Sequence, residues 1–486
     1  MKVDKKQVIK KVLLINTFLY NGVIRNISID PVVVRHSGQE IKTGVTFPLG
    51  LAYIGAMLKV GGYEVKIIDP IAEKTSINTI YKYSHWADAI VIPFSPYHQE
   101  DTKIYFNVFK DKVHILTGQI AKFMSVFILE AGIADVIIDG EPEKTTLEVC
   151  RNWPNLKDIP GIIYLEQNGN IHKTPKRELI KDLDSIPFPI RDFTDPRNYW
   201  DILFWGRPTA FVLPARGCVF DCIFCAQRLM SGGTVRYRSA KNIIEEIELI
   251  IKKTGVTNIL FHDETFNLKE SFVVGVCEEI LSRNIKIRWA CAGRADLIKA
   301  DIVRLMKKSG CIHMTLGLES ANDHILQYLK KNQKVSEIRR GLEILDREKM
   351  LFSLQCIFGS PGENRQTINN TMNFIRKTKP FFVSFNVLTP LPGSLLFEQV
   401  KDKLDLRESL KDMDILHTKF SFCDYSVEDI AKIMRDAYKS YYLSPYFLKR
   451  IIIEIINNPV NIFWMVKTIA FQARYFYISI IRRLKV

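Results

Sequence analysis

Three cysteines, Cys218, Cys222 and Cys225, stand in the run Ala215-Arg216-Gly217-Cys218-Val219-Phe220-Asp221-Cys222-Ile223-Phe224-Cys225, directly behind the apolar strand-like segment Thr209 to Leu213. Three thiolates on one tight loop can hold three corners of a four-iron cluster and leave the fourth iron without a protein ligand. An open metal position is where a substrate or cofactor can bind and react. A structural zinc site would need a fourth close ligand, usually a second C-x2-C or a His pair, and none follows; the nearest downstream candidate, His262, reads as part of a strand end. Three unmetallated core cysteines are the other alternative. Packing, however, does not call for Cys on a polar, Gly-containing loop.

The chain of 486 residues is long enough for two or three domains. Its nine cysteines follow no recognisable secretory signal, because the charged segment Met1 to Lys11 leads straight into Val12-Leu13-Leu14-Ile15. A reducing, cytoplasmic setting is therefore expected, in which thiolates bind metal rather than pair. The net charge of +15 invites a nucleic-acid reading, but Lys and Arg are spread along the chain rather than gathered in one aromatic-laced module. The exception is the C-terminus, where Ala437 to Val486 carry eight Lys or Arg and one acid, Glu454. The segment Ile462 to Leu484 can lie as an amphipathic helix on an anionic membrane surface, or pack on the protein with its cations outward. The first of these would place the protein peripherally on the inner face of the membrane.

Residues 1–150 alternate short apolar strands with helices. Strands are expected at Val12–Ile15, Glu64–Ile68, Ala89–Pro93, Val113–Leu116 and Asp135–Ile138, and a helix from Pro48 to the glycines Gly61-Gly62. That rhythm predicts a doubly wound, Rossmann- or flavodoxin-like α/β domain, which binds ligands at the carboxyl ends of its strands. Residues 151–200 read as a linker containing an Asn168-Gly169 hairpin. From 201 to 395, six strands alternate with helices, predicting a partial (β/α)6 TIM-like barrel. The remainder, 396–486, reads helical, with a capped start at Ser426-Val427-Glu428-Asp429.

Every barrel strand runs into a polar loop. The first carries the cysteines and the second His262-Asp263-Glu264-Thr265. The third carries Gly293-Arg294, the fourth Gly317-Leu318-Glu319-Ser320, the fifth Gly359-Ser360-Pro361-Gly362-Glu363, and the sixth Thr389-Pro390-Leu391-Pro392-Gly393. One such loop means little, since helix N-caps favour Asp, Ser and Thr. Six in register with a cysteine loop mark the barrel mouth.

The C-x3-C-x2-C run, with an aromatic residue before its last Cys, resembles the radical S-adenosylmethionine (SAM) superfamily. The resemblance implies a [4Fe-4S] cluster on Cys218, Cys222 and Cys225, and SAM cleaved to a 5′-deoxyadenosyl radical with an electron from an external donor such as flavodoxin or ferredoxin. It also implies Asp263 and Glu264 near the SAM amino group, Glu319 and Ser320 near its ribose and carboxylate, and Gly359 and Pro361 near the adenine. Arg238 and Arg294 become candidates for pairing with an anionic group.

Pro48-Leu49-Gly50-Leu51, Val65 to Asp69 and Gly140-Glu141-Pro142-Glu143-Lys144-Thr145 resemble the N-terminal cobalamin-binding domain of cobalamin-dependent radical SAM enzymes, so cobalamin is expected, with Gly118 and Glu141 beside it. The loop after Leu116 departs from the family, reading Thr117-Gly118-Gln119-Ile120-Ala121, and no Asp-x-His-x-x-Gly lower-ligand motif is present. His98, on the loop after the third strand, is a surface histidine or a group that approaches the corrin.

The resemblance implies C-methylation of an unactivated carbon in a small molecule, lipid and tetrapyrrole-like classes being the ones a basic, apolar C-terminus suits. Cyclisation or rearrangement by the same machinery is the alternative. A methylthiotransferase would carry further N-terminal cysteines, and only Cys150 precedes Cys218. An iron–sulfur redox sensor would not need polar loops after all six strands.

Overall fold

A computed structural model describes residues 8–16, 33–36, 39–42, 44–73, 75–94, 99–118, 121–166, 168–204, 207–403 and 420–457. The segment Ile462 to Leu484, His98 and Gln119-Ile120 lie outside the described residues. Among those described, no helix is long and apolar enough to cross a membrane.

The first sheet contains β1 (Lys11–Ile15), β2 (Glu64–Ile68), β3 (Ala89–Pro93), β4 (Val113–Thr117), β5 (Val136–Ile138), β6 (Ile162–Leu165) and β7 (Ile171–Lys173). Its spatial order is β7-β6-β5-β4-β3-β1-β2. β1 to β5 are parallel; β1, β3, β4 and β5 are apolar runs buried along nearly their whole length, as a sheet covered by helices requires, and the edge strand β2 is buried only at Ile67 and Ile68. The chain reverses direction across the sheet at β1, between β2 and β3. That switch opens a crevice at the carboxyl ends of the strands. Helix α1 (Leu49–Val60) follows Pro48 and ends at Gly61-Gly62 as the sequence predicts.

One boundary needs correction. The hairpin expected in a linker is β6 and β7, and β6 pairs antiparallel with β5, so residues beyond 150 complete the first sheet. Without them β5 would present an open row of backbone donors and acceptors.

The second sheet contains β8 (Thr209–Val212), β9 (Asn258–Phe261), β10 (Arg288–Gly293), β11 (Cys311–Glu319), β12 (Leu351–Phe358) and β13 (Phe382–Val387), all parallel and adjacent in chain order. This is the predicted half-barrel. Its helices announce themselves by caps and stripes. The helix Ala240–Thr254 starts on Ser239, whose hydroxyl accepts the amide of Asn242, and ends at Gly255 in the left-handed region. The helix Val427–Tyr442 starts with the predicted Ser426/Asp429 capping box, and Tyr442 and Tyr438 hydrogen-bond the backbone of β13.

Phe211, Leu260 and Ala290 of the barrel share one buried apolar cluster with α1, Phe47, Tyr199 and Phe204. The two sheets are therefore welded through a common core.

Candidate functional site

The cysteine loop leaves β8 through a two-residue ribbon, Ala215–Arg216 paired antiparallel with Arg236–Tyr237. Gly217 must be glycine, because its φ is +106° and a Cβ would lie 2.1 Å from the Thr234 carbonyl oxygen. Ser231 ties the far side, accepting the Cys218 amide at 3.2 Å. Between the second and third cysteines, buried Ile223 anchors the loop in an apolar cluster with Ile325, Leu329 and Leu396. Its backbone donates to the Leu329 carbonyl at 3.1 Å and accepts from the Leu396 amide at 2.8 Å.

The three thiols are free of disulfides and partly or largely shielded. Burial raises all three pKa values, that of Cys225 to about 12. The backbone amides near Phe220 and Gln227 partly offset this at Cys218 and Cys225. Amide donors of this kind stabilise thiolate sulfur and tune a cluster once it is bound. Charge adds to this, since Lys331 and Arg294 favour the thiolate of Cys222. Among the described residues no trio of His, Cys, Asp or Glu closes at the distance of a single ion.

Other barrel loops converge on the same place. Glu264 acts electrostatically on Cys218 and Cys225, and its carboxyl is pushed up to about 7 by desolvation. Asp263 is buried and its pKa raised by desolvation and by Glu264; its Oδ1 accepts no hydrogen bond among the described residues. Glu319 ends β11 at φ +59°, past a break in the ladder to β12, an uncommon conformation for a residue with a side chain. Its Oε1 accepts Lys331 Nζ at 2.7 Å. Ser320 is buried beside it, its hydroxyl accepting Asn322 Nδ2 at 3.0 Å.

On the fifth loop Gly359 adopts φ +87°, and its amide donates to Glu363 Oε2 at 2.5 Å. Pro361 lies half-buried in that turn. Arg294 is spent on structure. It is forked onto Asp296, donates to the carbonyls of Lys331 and Asn332, and stacks 3.7 Å from the Phe220 ring centroid. It props the cysteine loop from below instead of offering a free guanidinium.

The mouth of the first sheet faces this site. Gly118 (φ +100°) and Gly140 (φ +138°) are exposed at the carboxyl ends of β4 and β5, leaving stretches of floor without side chains. Phe123, on the 3-10 turn Ala121–Met124 that follows β4, reaches the barrel mouth. Its ring sits 5.8 Å from that of Phe397, and a Cβ on Gly393 would lie 3.3 Å from both Phe123 and Ala226, the residue after Cys225.

Comparison with known proteins agrees with this geometry. Residues 212–375 match the Radical SAM superfamily model. The chain carries a radical SAM domain. It is 28% identical over 417 residues to an uncharacterized methyltransferase of Pyrococcus horikoshii, covering 84% of this chain and 90% of that one. It is 28% identical to the anaerobic magnesium-protoporphyrin IX monomethyl ester cyclase of Rubrivivax gelatinosus, over 76% of this chain and 69% of the cyclase. In fold it is similar to the radical SAM methyltransferase TsrM of Kitasatospora setae, solved with cobalamin and a [4Fe-4S] cluster. The TM-score is 0.65 at 15% identity, covering 81% of this chain and 78% of that one.

Two expected site residues are placed elsewhere. Arg238 is buried against Glu246, Asn242 and the Tyr53 hydroxyl, and donates to the Leu213 carbonyl just past the end of β8. Glu141 spends both carboxylate oxygens on Arg216, Arg236 and the Ile180 amide. Neither has charge to spare for a ligand.

Lys331, in turn, was not expected. Burial disfavours its ammonium, but Glu319 and Cys222 outweigh that and hold the proton. In sequence it belongs to Lys330-Lys331-Asn332-Gln333-Lys334, which reads as a solvated charge run; only the short helix Asp323–Tyr328 turns it inward. Phe123 and Ile223 carry no signal beyond being apolar in a loop.

Proposed function

We propose that the chain is a cobalamin-dependent radical SAM C-methyltransferase acting on a small apolar molecule. The observation that carries this reading is the approach of Phe123 to Gly393 and Phe397, which brings the carboxyl ends of the two sheets mouth to mouth. Cys218, Cys222 and Cys225 fit a [4Fe-4S] cluster, since three free thiols on one anchored loop leave one iron open. Asp263, with a buried and unpartnered oxygen, suits a cationic amino group, and Glu264 and Glu319 flank the same thiols. The exposed glycine backbone at Gly118 and Gly140 suits a flat macrocycle at the switch-point crevice. When bound, the cluster supplies an electron for SAM cleavage, and the corrin supplies the methyl group.

This chain's own residues orient and shield. Ile223 and Ser231 fix the cysteine loop, Lys331 holds Glu319 in its strained turn, and Glu363 braces the fifth turn. Phe123 and Phe397 keep water from the seam between the sheets. The cyclase relative supports a second reading, ring closure at the same site without methyl transfer. The carboxyl-terminal helix Pro445–Asn457 exposes Leu448, Ile452, Ile453 and Ile456, and we extend the proposal to peripheral contact with an anionic membrane there. Replacing Leu448, Ile452, Ile453 and Ile456 with Ser should abolish binding to anionic vesicles; unchanged binding would remove that extension.

The central test is anaerobic reconstitution with iron, sulfide and hydroxocobalamin, then reduction with SAM. Cluster and corrin absorbance with both 5′-deoxyadenosine and S-adenosylhomocysteine is the expected result. Cluster and 5′-deoxyadenosine without corrin would overturn the methyltransferase reading and leave the second.

A further inference from the structure

We propose that Glu143 and Arg216 are positioning residues that clamp the cysteine loop to the first domain and so set the spacing between the two mouths. The proposal rests on the two-cofactor reading above, but the contacts that motivate it do not. Arg216 stands two residues before Cys218, on the ribbon that forms the stem of the cysteine loop. Its guanidinium reaches across the domain boundary, with Nη2 2.5 Å from Glu143 Oε1 and Nη1 3.1 Å from Glu141 Oε1. The opposite strand of the same ribbon does likewise: Arg236 forks onto Glu141 at 2.9 Å through both nitrogens and donates to the Ile180 carbonyl at 2.7 Å. Both sides of the stem are thus pinned to one short segment of the first domain.

That segment is the carboxyl end of β5. It runs Asp139-Gly140-Glu141 into the helix Pro142–Asn152, whose first turn contains Glu143. Gly140, on the crevice floor, is the immediate neighbour of Glu141. One loop therefore borders the first site and grips the stem of the second. Two carboxylates meet two guanidiniums, so the cluster is neutral, and it is deeply shielded, with the Glu143 side chain 2% and that of Arg216 15% exposed. An apolar contact would hold the domains together as well or better; what a forked Arg–carboxylate pair adds is fixed direction and register. The apolar weld through Phe211 and Tyr199 already joins the domains elsewhere, which leaves orientation of the loop as the task of this clamp.

The test uses the full-length protein, as purified and after anaerobic loading with iron and sulfide, with Arg216→Lys and Glu143→Gln beside the parent. Hydrogen exchange is read for peptides spanning 213–237 and for the barrel strands β9 to β12, together with iron retained after gel filtration. The expected result is exchange at least tenfold faster in 213–237, unchanged exchange in the strands, and iron retention below half. Uniformly faster exchange in loop and strands would mean a merely stabilising pair and overturn the proposal, as would no change in either. Arg216→Lys keeps the charge and loses only the fork, so it reports even where Glu143→Gln fails to fold. Exchange in the unloaded protein reads the clamp regardless of cofactors, whereas a failure of the two-cofactor reading would show in the parent protein alone.

Discussion

Gly341 sets two effects of opposite sign against each other. It sits, buried, in the middle of the helix Val335–Arg347, where glycine costs roughly 1 kcal/mol relative to alanine in backbone entropy and solvation. On propensity alone Gly341→Ala should stabilise the protein. The structure says otherwise. A Cβ at this position would lie 1.9 Å from the carbonyl oxygen of Ala295 and 2.8 Å from its carbonyl carbon. The obstacle is backbone, with no rotamer to give way, so helix and loop must part by roughly 1 Å or more. Overpacking of this kind costs typically 1–3 kcal/mol, and a rigid carbonyl belongs at or beyond the top of that range. Subtracting the propensity gain leaves a net loss of about 2 kcal/mol, or roughly 4–8 °C in melting temperature for a unit of this size.

The displaced loop also carries function. Ala295 follows Arg294, which stacks under Phe220 of the cysteine loop and is tied to the carbonyls of Lys331 and Asn332. Moving it should loosen the loop from below, so iron retention after anaerobic loading should fall along with the melting temperature. Thermal unfolding followed by circular dichroism, with iron quantified on the same samples, checks both. A melting temperature equal to or above the parent's would refute the reasoning, because propensity would then have outweighed the carbonyl contact.

Cys222→Ala should abolish the visible absorbance of the loaded protein and leave far-ultraviolet circular dichroism unchanged. Lys331→Met leaves Glu319 buried and unpaired, with side-chain exposures of 11% and 6% in the parent pair; a loss of about 3–5 kcal/mol in urea unfolding is expected, partly recovered in the double variant Lys331→Met/Glu319→Gln. Asp201 and Glu363 have carboxyl groups pushed up to about 7 by burial, so between the ordinary carboxylate range and pH 7 the folded protein holds protons that the unfolded chain releases. Stability should therefore be fully present near pH 4, fall as pH rises to about 7 by up to about 4 kcal/mol for Asp201 and about 3 kcal/mol for Glu363, and level off above. Urea unfolding between pH 5 and 8 reads this slope, and Asp201→Asn should flatten it.

The fold was legible because its signals are local. Val12 to Ile15, Ala89 to Pro93 and the six barrel strands are short apolar runs between glycine and polar punctuation, and such runs have few alternatives to buried parallel strands. Gly255 and the Ser426/Asp429 box mark helix ends for reasons contained within four residues. The cysteine loop was legible for the same reason, and so was the convergence of Glu264 and Glu319 on it, which follows from barrel topology once the strands are placed. What escaped was set by partners far away in sequence. Glu141 was expected beside cobalamin from the resemblance carried by Gly140 to Thr145; its partners, Arg216 and Arg236, stand 75 and 95 residues later. Arg238, by resemblance a candidate for an anionic group, is taken by Glu246 on the next helix. Lys331 looked solvated because nothing in its own run of charges tells that the preceding helix turns it inward.

That division has a consequence for how the site can vary. The apolar cluster shared by Phe211, Tyr199 and α1, and the ion pairs around Arg216, fix where the two mouths stand, and both lie outside the space between them. Phe123 and Gly393 meet at a seam where each mouth supplies part of the wall, while Phe397 is buried in the apolar core of the first sheet. Enlarging or shrinking a side chain at Phe123 should therefore change which molecule is accepted without changing the spacing, whereas a change at Arg216 should alter the spacing for every molecule. Specificity and registry are carried by different residues, and only the second set is bound to the fold.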